Sequence, residues 1–223
     1  MRISFIVPVL DEGTLIVTAL TRLQSLRARG HEVIVVDGGS TDATATLSEP
    51  FADRVIRAPR GRALQMNAGA DAAKGDVLLF LHADTRLPEN ADDLVAGALG
   101  SHSWGRFDVT IDSARPVLAV VAFMMNQRSR LTGVATGDQA IFVTRAVFEK
   151  AGAFPSIALM EDVALCATLK RSGAPACLKA KATTSGRRWE QRGVMKTIVL
   201  MWRLRLLYFL GADPARLAQI YAR

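Results

Sequence analysis

Four short apolar runs near the start of the chain, Ile3–Val9, Glu32–Asp37, Arg54–Ala58 and Asp76–Leu81, alternate with stretches of helical periodicity at Thr14–Arg29, Asp42–Leu47 and Ala63–Lys74. No other feature constrains the fold as strongly. Strands joined by helices of this length pair in parallel through right-handed crossovers, so a mainly parallel sheet flanked by helices is expected over roughly the first hundred residues. Gly30 and Gly75 stand where the first and third helices should end. Beyond them, Gly105–Asp112 and Gln139–Thr144 read as strands, and Pro116–Arg130 and Leu159–Arg171 as helices. No repeat, low-complexity tract or linker interrupts the 223 residues, which therefore read as a single α/β domain.

Composition narrows the partners. The formal charge is +7, which favours a phosphorylated small molecule, an anionic membrane surface or nucleic acid. Aromatics make up only 6% and no basic stripe is interleaved with them, so base stacking has no platform and nucleic acid is excluded. Cys166 and Cys177 lack metal-site spacing and read as buried thiols of a reducing, cytoplasmic protein. Met1–Leu10 reaches Pro8 without a small-residue cleavage site, and reads as a first strand and not as a leader. Val117–Met125 is too short to span a membrane, and Val194–Leu210 carries Lys196, Arg203 and Arg205. The second segment either packs on the core or lies at an anionic membrane as an imperfect interfacial helix, so peripheral attachment to the inner face of the membrane is one expectation.

Carboxylates mark the candidate site. Asp37 in VVDGGSTD and Asp84 in LLFLHADT end apolar strands, at the strand C-termini where open α/β sheets bind ligands. Glu161-Asp162, in LMEDVAL, opens a helix. Asp37 can accept hydrogen bonds from a base or a ribose while Gly38-Gly39 lets the backbone approach a ligand; Ser40, Thr41 and Asp42 equally suit plain helix capping. The VPVLDEG segment leaves its strand at Pro8 and lacks the glycine fingerprint of a dinucleotide fold, while Asp11-Glu12 also suits a helix dipole. Arg60 and Arg62, ahead of a helix bearing Gln65 and Asn67, suit phosphate oxygens, with Arg62 preferred.

Taken in order, VPVLDEG, VVDGGSTD, GRALQMNAGADAAKGDVLLFLHADT and MED resemble the family-2 glycosyltransferases of GT-A fold, over essentially the whole chain. Within that family the chain is most similar to the small bacterial branch described as selenodomain-associated transferases. The resemblance implies a nucleotide-binding half at residues 1–100 and an acceptor half at 101–223 with C-terminal helices. It implies an inverting, metal-dependent transfer of sugar from a UDP- or GDP-sugar to an acceptor hydroxyl, a lipid-linked acceptor being compatible. Pro8, Val9, Glu12, Asp37, Gly39, Arg62, Asn67 and Ala83 would contact the donor, and Asp84 would hold Mn²⁺ or Mg²⁺. Asp162 would be the catalytic base with Glu161 tuning it. Gly137 and Asp138 match an acceptor-side loop, and Arg188-Trp189 matches the end of a Q-x-x-R-W motif whose glutamine position is Ser185 here, against processive synthesis. His82 stands where the first acid of D-x-D is usual. Two alternatives are a sugar-nucleotide nucleotidylyltransferase, disfavoured because PVLDEG is not a glycine-rich, arginine-containing loop, and a non-catalytic nucleotide-binding or membrane-associated partner protein. The joint presence of Asp84 and Asp162 weighs against the second.

Overall fold

A computed structural model describes residues 1–222. Strands β1 (Ile3–Val9), β2 (Glu32–Asp37), β3 (Arg54–Arg57), β4 (Val77–Phe80), β5 (Thr85–Arg86), β6 (Trp104–Asp112), β7 (Phe142–Thr144) and β8 (Ala176–Ser185) form one sheet in the order β3-β2-β1-β4-β7-β6-β8-β5. β1 pairs in parallel with β2 and β4, and β2 with β3. β7 then runs antiparallel to both β4 and β6, while β8 is parallel to β6 and antiparallel to β5. The result is a mixed, mainly parallel α/β sheet with helices on both faces.

Period-two alternation assigns each strand's side chains to a face. Ile3, Phe5, Val7 and Val9 pack with Ile16, Leu20, Leu26 and Val95 on one side. Ile6, Ile34, Val36, Leu78 and Phe80 pack on the other against Met66, Ala70, Phe148 and Leu165. The helix Arg62–Ala72 approaches so closely that a β-carbon on Gly69 would lie 2.4 Å from Ile6 Cγ2. Alanine at Gly69 would overpack this contact at a cost of about 1–3 kcal/mol.

The second half is organised by a buried polar cluster. Asn126, on the helix Pro116–Thr132, accepts from Val109 N (2.8 Å) and donates to Val109 O (2.9 Å), filling the ladder beside the irregularity between Phe107 and Asp108. Fully buried Arg106 pairs with Asp108, whose other oxygen accepts from Arg130 at 2.7 Å. A lone buried cation would be costly; paired here, Arg106 holds the helix on β6. The helices Val194–Phe209 and Pro214–Ala222 close the structure, with Val194 packing on Leu118 and Val121, and Leu204 and Leu217 on Met160 and Val163.

Several expected elements change in the fold. The first helix is two pieces, Ile16–Thr21 and Gln24–Ala28, with the Gln24 side chain at the break donating to Leu20 O and Phe51 O. The strand expected from Gln139 begins at Phe142, because Gly137–Gln139 forms a tight turn in which Gln139 Oε1 accepts from Thr136 N. β8 has no counterpart among the strands expected from the sequence: its Lys-Ala-Lys-Ala core has little intrinsic strand preference and is recruited by pairing with β6.

Candidate active site

β1 delivers Pro8 and Val9, and the chain then bends at Asp11, whose φ of 52° is unusual for a residue with a β-carbon. The bend is stitched to the loop after β2: Asp11 N donates to Ser40 Oγ (2.9 Å), Glu12 N to Thr44 Oγ1 (2.8 Å) and Gly13 N to Asp42 Oδ2 (2.9 Å), while Asp11 Oδ1 accepts from Thr41 N (2.8 Å). These residues hold Glu12 at the mouth of a cleft. Glu12 lies 3.9 Å from Arg187; burial, with the nearby charges of Asp84 and Asp42, pushes its carboxyl up despite that cation.

β4 leads into His82-Ala83-Asp84, and the two-residue β5 anchors the chain immediately beyond, with Thr85 facing Thr184 of β8 (Oγ1 to Oγ1, 3.2 Å). This pairing brings Asp84 beside the chain leaving β8 and so beside the helix Arg187–Arg192. The Asp84 carboxylate receives only a long bond from Thr85 Oγ1, 3.4 Å. It is therefore free for a cation.

The other wall is built by the helix Glu161–Leu169, entered through Met160 at φ 70°. Asp162 accepts from its neighbour Val163 N (2.7 Å) and, across the cleft floor, from Gly137 N (3.1 Å). Glu161 is buried and lies 3.7 Å from Arg62; burial, then the charge of Asp162, raises its pKa. Burial pushes the Asp138 carboxyl up, but its hydrogen bond with His82 and the charges of His82, Arg62 and Arg188 outweigh this and hold it low.

One cleft of about 1170 Å³ gathers Pro8, Val9, Glu12, Arg62, Ala83, Asp84, Gly137, Asp138, Glu161, Asp162, Arg188 and Trp189. Three expected donor contacts do not line it. Asn67 is corrected to a structural role, its amide donating to Phe154 O (2.8 Å) and accepting from Phe154 N (3.0 Å). Asp37 is buried and turned toward its own loop, accepting from Ser40 N (3.0 Å), Gly39 N (3.3 Å) and the Ser40 hydroxyl. Gly39 shapes that same turn at φ 91°. His82 is directed to Asp138, 3.4 Å away. Four further arginines line the cleft: Arg187 and Arg192, on the helix that carries Arg188-Trp189, and Arg128 and Arg205, which arrive on helices with no motif of their own and were not site candidates in the sequence.

Among the described residues no three His, Cys, Asp or Glu side chains gather as a ready-made metal cage. A single free carboxylate nevertheless fits Mg²⁺ or Mn²⁺ of the kind held by one or two carboxylates together with substrate phosphates.

Comparison with known proteins decides the family. The family model for glycosyl transferase family 2 matches residues 4–142, from β1 to the start of β7. The chain belongs to glycosyl transferase family 2. The match includes Glu12, Asp37, Asp84, Gly137 and Asp138 and ends before Glu161-Asp162. Among sequence relatives, a PGL/p-HBAD biosynthesis glycosyltransferase of Mycobacterium bovis is 37% identical over 108 residues, 44% of this chain and 42% of that protein. An undecaprenyl-phosphate 4-deoxy-4-formamido-L-arabinose transferase of Pseudomonas fluorescens is 32% identical over 108 residues, 43% of this chain and 32% of the relative. The chain thus spans less than half the length of either. Among solved structures, S. aureus TarS in complex with UDP aligns with a TM-score of 0.68 at 18% identity, over 83% of this chain and 60% of that one. The mannosyltransferase PcManGT from Pyrobaculum calidifontis, with GDP-Man and Mn²⁺, aligns at 0.66 and 22% identity, over 99% and 69%. At such identities the likeness is one of fold, and it supports the GT-A assignment. These matches are to the family broadly and do not single out the small bacterial branch.

Proposed function

We propose that this family-2 enzyme transfers a sugar from a nucleotide-diphosphate sugar to an acceptor hydroxyl, with inversion at the anomeric carbon. The observation that carries the reading is the opening of Asp84, Asp162, Arg62 and Arg188 onto one cleft from four separate segments. Pro8, Val9 and Glu12 form the donor ledge, and residues 1–100 supply most of the donor side. Arg62 and Arg188 balance the diphosphate, for which guanidinium geometry is suited. Asp84 would hold Mn²⁺ or Mg²⁺, which when bound would neutralise charge on the diphosphate leaving group.

Asp162, oriented by the Gly137 and Val163 N–H groups, takes the proton of the attacking acceptor hydroxyl. Glu161, buried beside that base and 3.7 Å from Arg62, has its own pKa raised by burial and by the charge of Asp162. A single displacement with no protein nucleophile inverts the centre. The donor class is supported by TarS, solved with UDP and with UDP-GlcNAc, and by PcManGT, solved with GDP-Man and Mn²⁺. Metal use is supported by PcManGT and by the glucosyl-3-phosphoglycerate synthase of M. tuberculosis, solved with Mg²⁺ and UDP. Peripheral contact with an anionic membrane belongs to the same proposal, supported by the net charge of +7 and by exposed Trp202, Leu206 and Phe209. No helix among the described residues is long and apolar enough to cross a membrane.

The test is titration with UDP, GDP and their sugars with and without Mn²⁺. The reading expects metal-dependent donor binding and slow donor hydrolysis by the unmutated chain; absence of binding for every nucleotide tried would overturn it.

A further inference from the structure

Arg128 and Arg205 enter the cleft from two different helices, and the chemistry above uses neither. Arg128 stands two residues beyond the Asn126 clamp on the helix Pro116–Thr132, and Arg205 follows fully buried Leu204 on the helix Val194–Phe209. Of the other cleft arginines, Arg62 lies near Glu161, Arg187 near Glu12, and Arg188 and Arg192 over the ring of Tyr221, while Arg60 is exposed to water. Among the described residues, no carboxylate comes within 4.0 Å of Arg128 or Arg205. Arg128 Nε and Nη2 and Arg205 Nε are buried without a hydrogen-bond partner.

Leaving such polar groups unpaired is costly, and two mutually repelling cations add to the cost. Burial and then the charge of Arg205 hold Arg128 down to about 10, and burial also lowers Arg205. An anion between them would remove both penalties. Leu204, next to Arg205, packs with Met160 and Val163 on either side of Glu161-Asp162, and the charge of Asp162 acts on both guanidiniums, which sets the unpartnered pair beside that carboxylate.

The surrounding wall is apolar. Val117, Val120 and Met124 line the cleft from one helix and Met201 and Trp202 from the other, and Val117, Val120, Met124 and Trp202 are also exposed. Outside the cleft the second helix continues this surface through exposed Val199, Leu206 and Phe209, with Lys196 and Arg203 along its border. A small hydrophilic anion would use the guanidiniums and leave this wall in water.

We infer that Arg128 and Arg205, with the apolar wall beside them, form an acceptor subsite for a hydroxyl-bearing amphiphile whose anionic group, phosphate or carboxylate, is joined to a hydrocarbon chain. The inference deepens the transfer reading, because it rests on Asp162 marking the acceptor side. The head docks between the guanidiniums and the chain lies along Val120, Met124 and Trp202.

Calorimetric titration of the full chain with octyl phosphate, octanoate, inorganic phosphate and octanol tests it. Octyl phosphate or octanoate should bind at least about tenfold tighter than inorganic phosphate and octanol, and the better of the two identifies the head. Arg128→Gln and Arg205→Gln should each weaken that binding by about tenfold or more, the loss of a charged hydrogen bond. Val120→Asp, at a position 60% exposed, should weaken octyl phosphate binding but not that of inorganic phosphate. This variant decides the matter if the arginine variants fail to fold. Equal affinities for octyl and inorganic phosphate overturn the inference, as does strict competition by UDP with Mg²⁺, which would give the pair to the donor. UDP binding is measured separately: its absence with octyl phosphate bound as expected removes the donor reading and leaves the subsite standing.

Discussion

His82 packs so closely on Gly137 that a β-carbon at Gly137 would sit 2.3 Å from the imidazole, whose Nδ1 is 3.4 Å from Asp138 Oδ1. The histidine standing in the D-x-D position thus buttresses the loop whose Gly137 N–H orients Asp162. It ties the strand bearing the metal candidate to the acceptor-side loop.

Gly137→Ala should push the ring aside and disturb the bond to Asp162. We expect kcat to fall by about tenfold with donor affinity unchanged, since a misalignment of about 1.4 kcal/mol is tenfold in rate. His82→Asp sets a carboxylate opposite Asp138, removes one of the contacts that lower the Asp138 pKa and should also reduce kcat. Steady-state kinetics on folded variants would check both, and unchanged rates would reduce the contact to packing.

Asp84→Ala should abolish Mn²⁺-dependent donor binding while leaving the fold intact, because the carboxylate has only one long internal hydrogen bond. Calorimetry with and without metal measures this. Undiminished metal-dependent affinity would place the cation elsewhere.

Asp162→Asn should bind donor and metal normally and transfer about 10² to 10⁴ more slowly, the range for a lost general base. Glu161→Gln should slow transfer less. Because the Glu161 pKa is raised, the folded state is penalised as pH rises above the ordinary value of 4.5. Glutamine removes that penalty, so the variant should gain more Tm at pH 7 than at pH 4.5; an equal change at both would remove the assigned burial effect. NMR of the product should give inverted anomeric configuration.

Asp37→Asn exchanges an acceptor for an amide that cannot accept from both Ser40 and Gly39. A stability loss of about 1–3 kcal/mol is expected by denaturant unfolding. Donor affinity should fall about tenfold to a hundredfold through disorder of the stitched Asp11–Thr44 loops. Unchanged stability with weakened donor binding would instead favour direct base contact.

Asp92 ties the edge helix Ala91–Leu99 to the first crossover through Arg29 (2.6 and 2.9 Å) and His31 (3.2 Å). The Arg29 bonds hold it at about 2, against its burial and with His31 adding. A depressed carboxylate stabilises the fold above its ordinary pKa of 3.8 and loses that contribution as pH falls toward about 2. Asp92→Asn should be less stable at pH 7 and flatter between those limits, as measured by circular dichroism.

What the sequence determined by itself is what nearest neighbours along the chain decide. Apolar runs such as Ile3–Val9 and Glu32–Asp37 were legible to the residue, because burial on both faces imposes an unbroken hydrophobic pattern. The carboxylates Asp84 and Asp162 were legible because they interrupt those patterns at element ends. The tertiary structure alone decided where long-range pairing outweighs local preference. β8 exists because β6 and β5 offer partners to a weak Ala-Lys segment. Asn67 is tied to Phe154, and Asp37 braces its own loop through Ser40, because sequence spacing carries no record of which backbone groups a folded loop will leave unsatisfied. Arg128 and Arg205, 77 positions apart in number, share a cleft only because Asn126 and Leu204 anchor their helices on different sides of it.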